Sequence, residues 1–127
     1  MIMNKDGAMK RGIFVLRIGL AMLFLWFGFS QFLDPSMWTS LVPQWASSLT
    51  GLEPSMIVLL NGGFEIAAGS LLALGLYMRV AACLLAIHLA VIIFDLGFTA
   101  VAVRDFAIMM STFALALLGP DEYSLDA

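Results

Sequence analysis

The chain has 127 residues, 62% of them hydrophobic and 12% charged, with a net charge of -3. Soluble domains average about 25% charged residues, so this composition and the mean hydropathy of +1.02 exclude a water-soluble globular protein and indicate an integral membrane protein. The chain has no cluster of basic residues, which argues against nucleic acid as a partner. Its single cysteine, Cys83, excludes an intrachain disulfide and a cysteine pair for redox chemistry or zinc.

Four continuous apolar segments are each long enough to cross a bilayer. A helix of about 20 residues spans about 30 Å of hydrocarbon, whereas open strands of that length would leave backbone groups unpaired in lipid. The sequence therefore predicts one all-α domain over residues 1–127, an integral membrane antiparallel four-helix bundle with an external interfacial loop. Its helices are expected at about 12–32, 56–77, 80–98 and 100–118.

The connections between these segments differ in length. The one long loop runs from 33 to 54 and contains Trp38 and Trp45. Indole rings favour the headgroup level, so we expect this loop to lie on the membrane surface, with a short interfacial helix over 35–41. The tail after 118 begins with Gly-Pro, which stops a helix, and we expect the tail to leave the membrane there.

Basic residues predict the orientation. Lys5, Lys10, Arg11 and Arg79 all fall at one end of the expected bundle, while the 33–54 loop contains no Lys or Arg. By the positive-inside rule, both termini are expected to be cytoplasmic and the long loop external.

Five ionisable residues lie inside the apolar segments. A charge at membrane depth costs roughly 2.5–3.5 kcal/mol even on insertion scales, so each is expected to face the protein interior and to find a partner there. They are Arg17, Glu65, His88, Arg104 and Asp105.

Helical periodicity gives each segment one polar face. Arg17, Phe24 and Gln31 recur every seven residues, Asn61 and Glu65 are four residues apart, and His88 and Asp95 are seven apart. Four polar faces avoid lipid if they converge, so we expect an internal, hydrogen-bonded polar core.

Depth along the helices restricts the pairing. Glu65 and His88 lie near the middle of their segments, whereas Arg17 lies about 8 Å to the cytoplasmic side and Arg104–Asp105 a similar distance to the external side. Either arginine is long enough to reach Glu65. We favour Arg104 as the partner of Glu65, and Arg17 has the alternative of extending to the cytoplasmic headgroups.

Charge counting favours a cavity over a dry core. Glu65 and Asp105 place two negative charges near Arg104 alone, so either one carboxyl group stays protonated or water enters. We expect a site that opens externally between the first, second and fourth segments, lined by Gln31, Glu65, Arg104 and Asp105. The expected polar core also includes Arg17, and the secondary site candidates are Asn61, His88 and Asp95. The alternative is that the buried charges serve only to fix helix register.

The residues restrict any redox role. Only His88 is available as an axial haem ligand apart from the remote Met109 or Met110, and no residues have metal-ligand spacing. We therefore expect no metal and no intrinsic cofactor. A quinone remains a candidate ligand, because its site needs only an apolar slot, a hydrogen-bond donor and a protonatable group.

Short sequence pieces in a characteristic order extend over nearly the whole chain. They are Arg17-Ile18-Gly19-Leu20, Phe24-Leu25-Trp26-Phe27-Gly28, Gln31-Phe32, Asp34-Pro35, Gly63-Phe64-Glu65 with Gly69, Gly75-Leu76 with Arg79, Val103-Arg104-Asp105, Leu118-Gly119-Pro120 and Tyr123-Ser124-Leu125-Asp126. This ordered set resembles the DoxX family of small four-helix membrane proteins of bacteria and archaea. By the resemblance, the recurring polar positions are Arg17, Glu65, Arg104 and Asp105. Gln31 stands where many members have lysine, and His88 is outside the pattern.

The resemblance implies a multi-pass protein of the bacterial or archaeal cytoplasmic (inner) membrane. The family takes its name from a subunit of an archaeal thiosulfate:quinone oxidoreductase. The implied function is a quinone-handling or accessory subunit of a membrane oxidoreductase complex, without a redox centre of its own. The alternative is a non-catalytic membrane module that binds a small lipophile or organises partner subunits. Expected partners are the lipid bilayer, oxidoreductase subunits and a second copy of the chain.

Overall fold

A computed structural model describes residues 5–97, 99–121 and 123–126 of the chain. Over these residues the protein is all-helical and contains no strand. The helices are α1 (Lys5–Leu33), α2 (Gln44–Thr50), α3 (Pro54–Leu74), α4 (Met78–Leu96) and α5 (Ala100–Leu118). α1, α3, α4 and α5 contain the four segments that are long and apolar enough to cross a membrane. The predicted helical membrane bundle is therefore confirmed, and the protein is multi-pass and in contact with lipid.

Left-handed residues end α3 and start α4 earlier than hydropathy suggests. Gly75 has φ 68°, and its N–H closes the last turn of α3. Tyr77, with φ 48°, immediately precedes α4. Because apolar residues continue through this turn, hydropathy alone placed the boundary several residues too late. α1 likewise begins at Lys5, well before the apolar segment starts.

The long loop is more structured than expected. Instead of one helix over 35–41, there are two single 3₁₀ turns, Pro35–Met37 and Thr39–Leu41, which meet at Trp38. The sequence analysis missed α2. A proline just before the helix and a glycine just after it, here Pro43 and Gly51 (φ 72°), are a helix signal that was available in the sequence.

The four long helices form a ring in the order α1–α3–α4–α5. α1 packs most extensively on α3 and α4 on α5, with smaller α3–α4 and α1–α5 interfaces. Neighbours are antiparallel, and α3 lies diagonally opposite α5. We call the end that carries the start of α1, the α3–α4 turn and the tail the termini end. The opposite end, with the 33–54 loop, is the loop end.

A close helix crossing positions the polar residues near the loop end. A methyl group on Gly62 of α3 would lie 2.8 Å from the carbonyl oxygen of Gly28 on α1. Only glycine permits this approach of two helix backbones. The crossing brings Gln31 against α3, where the Asn61 amide Nδ2 donates to Gln31 Oε1 at 2.5 Å.

Candidate functional site

A cavity of about 500 Å³ lies at the loop end, among the four long helices and beneath the long loop. We call it the loop-end cavity. Its walls are largely apolar, with Phe24 and Phe27 of α1 and Leu89 and Ile92 of α4 among them, and Trp38 lines it from the loop. The polar lining residues are Gln31, Asn61, Glu65, His88, Asp95, Thr99, Arg104 and Asp105.

Glu65 and His88 form the innermost pair of ionisable side chains in this cavity. Glu65, on α3, is 5% exposed, and its Oε1 lies 3.6 Å from His88 Nε2 on α4. Phe64 packs on the imidazole, with ring centroids 5.0 Å apart. Among the described residues, no hydrogen-bond partner reaches Glu65 Oε2 or His88 Nε2, although both atoms are buried. Buried polar atoms are nearly always paired, and exceptions often mark functional sites.

Asn61 lies one helical turn from Glu65 on α3, toward the loop, and Gln31 contacts it from α1. Gln31 is buried and accepts the Asn61 hydrogen bond described above. This bond uses one donor of the Asn61 amide. The bond holds both side chains at the cavity wall and connects α1 to α3 beside the Glu65–His88 pair.

The cavity mouth carries the remaining predicted site residues. Arg104 is exposed and contacts its neighbour Asp105, with Nη2 3.3 Å from Asp105 Oδ1. An exposed pair of this kind contributes little to stability. Trp45 Nε1 donates to Asp95 Oδ1 at 3.0 Å, which links α2 to the end of α4.

The predicted pairing of Arg104 with Glu65 is wrong. α5, which carries Arg104, lies diagonally across the ring from α3, while α4 is adjacent to α3 and supplies His88 as the neighbour of Glu65. The sequence analysis placed His88 at the mid-membrane depth of Glu65 but did not pair the two residues.

Arg17 does not line the loop-end cavity. It is 1% exposed at the termini end, with Nε 2.7 Å from Asp121 Oδ2. Its Nη1 donates to the carbonyl oxygens of Leu72 and Ala73 at 2.9 and 2.7 Å. Both expectations for Arg17, a contact with Glu65 and extension to the headgroups, are therefore wrong. Its actual partner follows the Gly-Pro helix stop, which the sequence analysis treated only as an exit.

The tail folds back across the termini end instead of leaving the bundle. The Leu125 and Asp126 N–H groups donate to the carbonyl oxygens of Leu74 and Gly75. The Asp126 carboxylate accepts from the Met78 N–H at 2.8 Å and so caps the start of α4. Every one of these contacts satisfies a backbone group that a helix end leaves unpaired.

Asp121 is held ionised by its surroundings. Burial by itself would raise the pKa of this carboxyl group, but hydrogen bonds from Arg17 and the Tyr123 N–H, the positive charge of Arg17 and the Ser124 hydroxyl outweigh burial. Together they lower the pKa below its ordinary value of 3.8. The Arg17–Asp121 contact is thus a buried ion pair at neutral pH.

The chain matches the family model of DoxX over residues 12–100. It belongs to the DoxX family. The matched DoxX region begins in α1 and ends at the first residue of α5, so it contains the Glu65–His88 pair, whereas Arg104 and Asp121 lie beyond it. No curated protein and no solved structure matches the chain.

In this DoxX protein, the loop-end cavity brings together seven of the eight predicted site residues. They are Gln31, Asn61, Glu65, His88, Asp95, Arg104 and Asp105. Arg17 alone lies elsewhere. Among the described residues, no group of three or more His, Cys, Asp or Glu side chains is arranged to hold a metal ion. The cavity walls suit an apolar ligand, and the Glu65–His88 pair can form hydrogen bonds with its polar group or exchange a proton with it.

Proposed function

We propose that this DoxX protein binds a small lipophilic ligand in the loop-end cavity, and that the ligand is a membrane quinone handled for an oxidoreductase complex. The observation that carries the proposal is the Glu65–His88 pair, two buried ionisable side chains facing an apolar cavity. The pair gives the ligand both a position and a proton partner.

The size and lining of the cavity support a small-molecule ligand. Ligand pockets measure roughly 300–1,000 Å³ and are mostly apolar with a few well-placed polar groups, and the loop-end cavity of about 500 Å³ has these features. Phe24, Phe27 and Trp38 supply aromatic surface for a flat ring, and aromatic rings prefer offset or edge-to-face contacts of this kind.

The Glu65–His88 pair favours a quinone over a redox-inert lipophile as the ligand. A quinone supplies two-electron redox chemistry that also takes up protons, so its site needs a group that exchanges protons. Glu65 and His88 are two such groups within 3.6 Å of each other, and positioned side chains of these types are the usual general acids and bases. We assign electron delivery to a partner subunit of the complex.

Orientation and location are part of the proposal. The basic residues Lys10, Arg11 and Arg79 lie at the termini end, so the positive-inside rule places that end in the cytoplasm. The loop-end cavity then opens toward the external side of the cytoplasmic membrane.

Binding in mild detergent tests the proposal. Trp38 and Trp45 line the cavity, so an alkyl-benzoquinone should quench their fluorescence saturably. The variant His88→Leu should weaken this binding at least tenfold, while Leu84→Ala, at an exposed position one turn away on α4, should leave it unchanged. If quenching does not saturate, or if both variants bind like the parent protein, the quinone proposal fails. Mass spectrometry of lipophiles that co-purify would then identify a ligand of the alternative, non-redox class.

A further inference from the structure

The inner end of the loop-end cavity has an unusual balance of hydrogen-bond donors and acceptors. An ionised carboxylate only accepts hydrogen bonds, and Glu65 Oε2 receives none from the described residues. His88 Nε2 lies near the other carboxylate oxygen, at 3.6 Å, beyond hydrogen-bond length. Asn61, one turn earlier on α3, directs one of its two amide hydrogens to Gln31, and the other does not reach Glu65 Oε2. A ligand group that brings a hydrogen-bond donor to this point therefore meets an acceptor that no described residue occupies.

The charged groups at the mouth do not supply that donor. Arg104 is directed to Asp105 and is 60% exposed at its side chain. Asp95 is an acceptor occupied by Trp45. Arg104 is the only Lys or Arg among the described residues that line the cavity, and it is thus engaged at the rim.

A hydroxyl group fits the Glu65–His88 pair better than a carbonyl group does. A hydroxyl donates one hydrogen bond and accepts others, whereas a carbonyl only accepts. A hydroxyl can donate to Glu65 Oε2 while it accepts from an Nε2–H group of His88, which the imidazolium and one neutral tautomer both carry. A carbonyl satisfies His88 alone and leaves the carboxylate oxygen desolvated without a donor, which weakens binding.

We infer that the loop-end cavity selects the hydroxyl-bearing, reduced form of its ligand, a hydroquinone or related phenol, over the carbonyl form, and that the Glu65 carboxylate is the selecting group. The inference rests on the proposed function and names the redox form that the site prefers. A tenfold preference for the reduced form raises the two-electron potential of the bound couple by about 30 mV. The site thereby favours reduction of a bound quinone and retention of the product.

The test compares two forms of one probe at a single, neutral pH. The dissociation constants of an alkyl-benzoquinone and of its hydroquinone are measured by tryptophan fluorescence, the latter under anaerobic reducing conditions. For the parent protein, the hydroquinone should bind about tenfold more tightly, a difference of about 1.4 kcal/mol. In Glu65→Gln the amide both donates and accepts, so the preference should disappear through tighter binding of the benzoquinone.

A matched control separates the site from a general effect of charge. Glu53→Gln makes the same chemical change at an exposed position before α3, outside the cavity lining, and should keep the parental ratio. Equal binding of both forms, or tighter binding of the benzoquinone, by the parent protein overturns the inference and leaves the proposed function standing. A parental ratio in Glu65→Gln also overturns it. Absence of saturable binding of either form overturns both. Because the parental ratio is decisive by itself, a failure of Glu65→Gln to fold does not block the test.

Discussion

Removal of the Asp121 carboxylate should destabilise the bundle, because it leaves the Arg17 guanidinium buried without its counter-ion. Arg17 is almost completely inaccessible, and Asp121 contacts both its Nε and its Nη2. The perturbation is Asp121→Ala.

The size of the expected loss of stability depends on the hydrogen bonds that Arg17 keeps in Asp121→Ala. Breaking a buried ion pair by removal of one partner typically costs about 3–5 kcal/mol. Arg17 Nη1 keeps two carbonyl acceptors, on Leu72 and Ala73, so part of the hydrogen bonding survives. We therefore expect a loss near the lower limit, about 3 kcal/mol.

The assay is reversible chemical unfolding in mild detergent, followed by circular dichroism. Asp34→Asn is the control, because Asp34 is an exposed carboxylate that accepts a side-chain hydrogen bond from the nearby Ser36. The double variant Arg17→Met with Asp121→Ala should recover much of the loss, since apolar replacement of both partners is often close to neutral.

Two results would refute this reasoning. One is a loss below about 0.5 kcal/mol in Asp121→Ala, the size expected of a solvated surface pair. The other is a double variant no more stable than Asp121→Ala, which would mean that the buried guanidinium was not the source of the loss.

Three further predictions concern pH, packing and topology. The pKa of Asp121 is lowered in the folded state, so the stabilisation of the bundle by this carboxylate is complete above pH 3.8 and is lost as the pH falls through the lowered pKa. The free energies of unfolding of the parent protein and of Asp121→Ala should therefore converge only in acid. Convergence near neutral pH would contradict this. Gly62→Ala should lower the free energy of unfolding by about 1–3 kcal/mol, since its methyl group meets the α1 backbone. Gly63→Ala has open space around the added methyl group and should be neutral or stabilising. Equal losses of stability for the two variants in thermal unfolding would contradict the close helix crossing. In a Cys83→Ser background, Ser40→Cys should react with an impermeant thiol reagent added outside intact cells, and labelling only from the cytoplasm would reverse the proposed orientation.

The sequence was sufficient to predict the helical bundle because the physical signal is redundant. Each spanning helix is apolar over its whole length, and lipid excludes other backbone structures. The ends of the helices were less predictable. Where α3 turns into α4, the chain remains apolar, and the turn depends on the conformation of Gly75 and Tyr77, which hydropathy does not detect.

The candidate site was also predictable from the sequence only in part. Helical spacing and depth were sufficient to place Gln31, Glu65, Arg104 and Asp105 from the middle of the membrane toward the long loop. Partner choice was not predictable, because it depends on the order of helices around the ring. An arrangement with α5 beside α3 would favour Arg104 as the partner of Glu65, whereas the actual order gives His88. The Arg17–Asp121 pair depends on the return path of the tail, which helical periodicity does not describe.

The tightly packed termini end closes the loop-end cavity on that side. On the termini side of Glu65, the side chains of Leu72, Met78, Leu85 and Leu115 are fully buried, and the Arg17–Asp121 pair with the folded tail lies beyond them. A ligand in the cavity therefore exchanges on the loop side of this packed layer. Under the proposed function, proton exchange with the Glu65–His88 pair stays on that same side, so the packed layer keeps the site from carrying protons across the membrane.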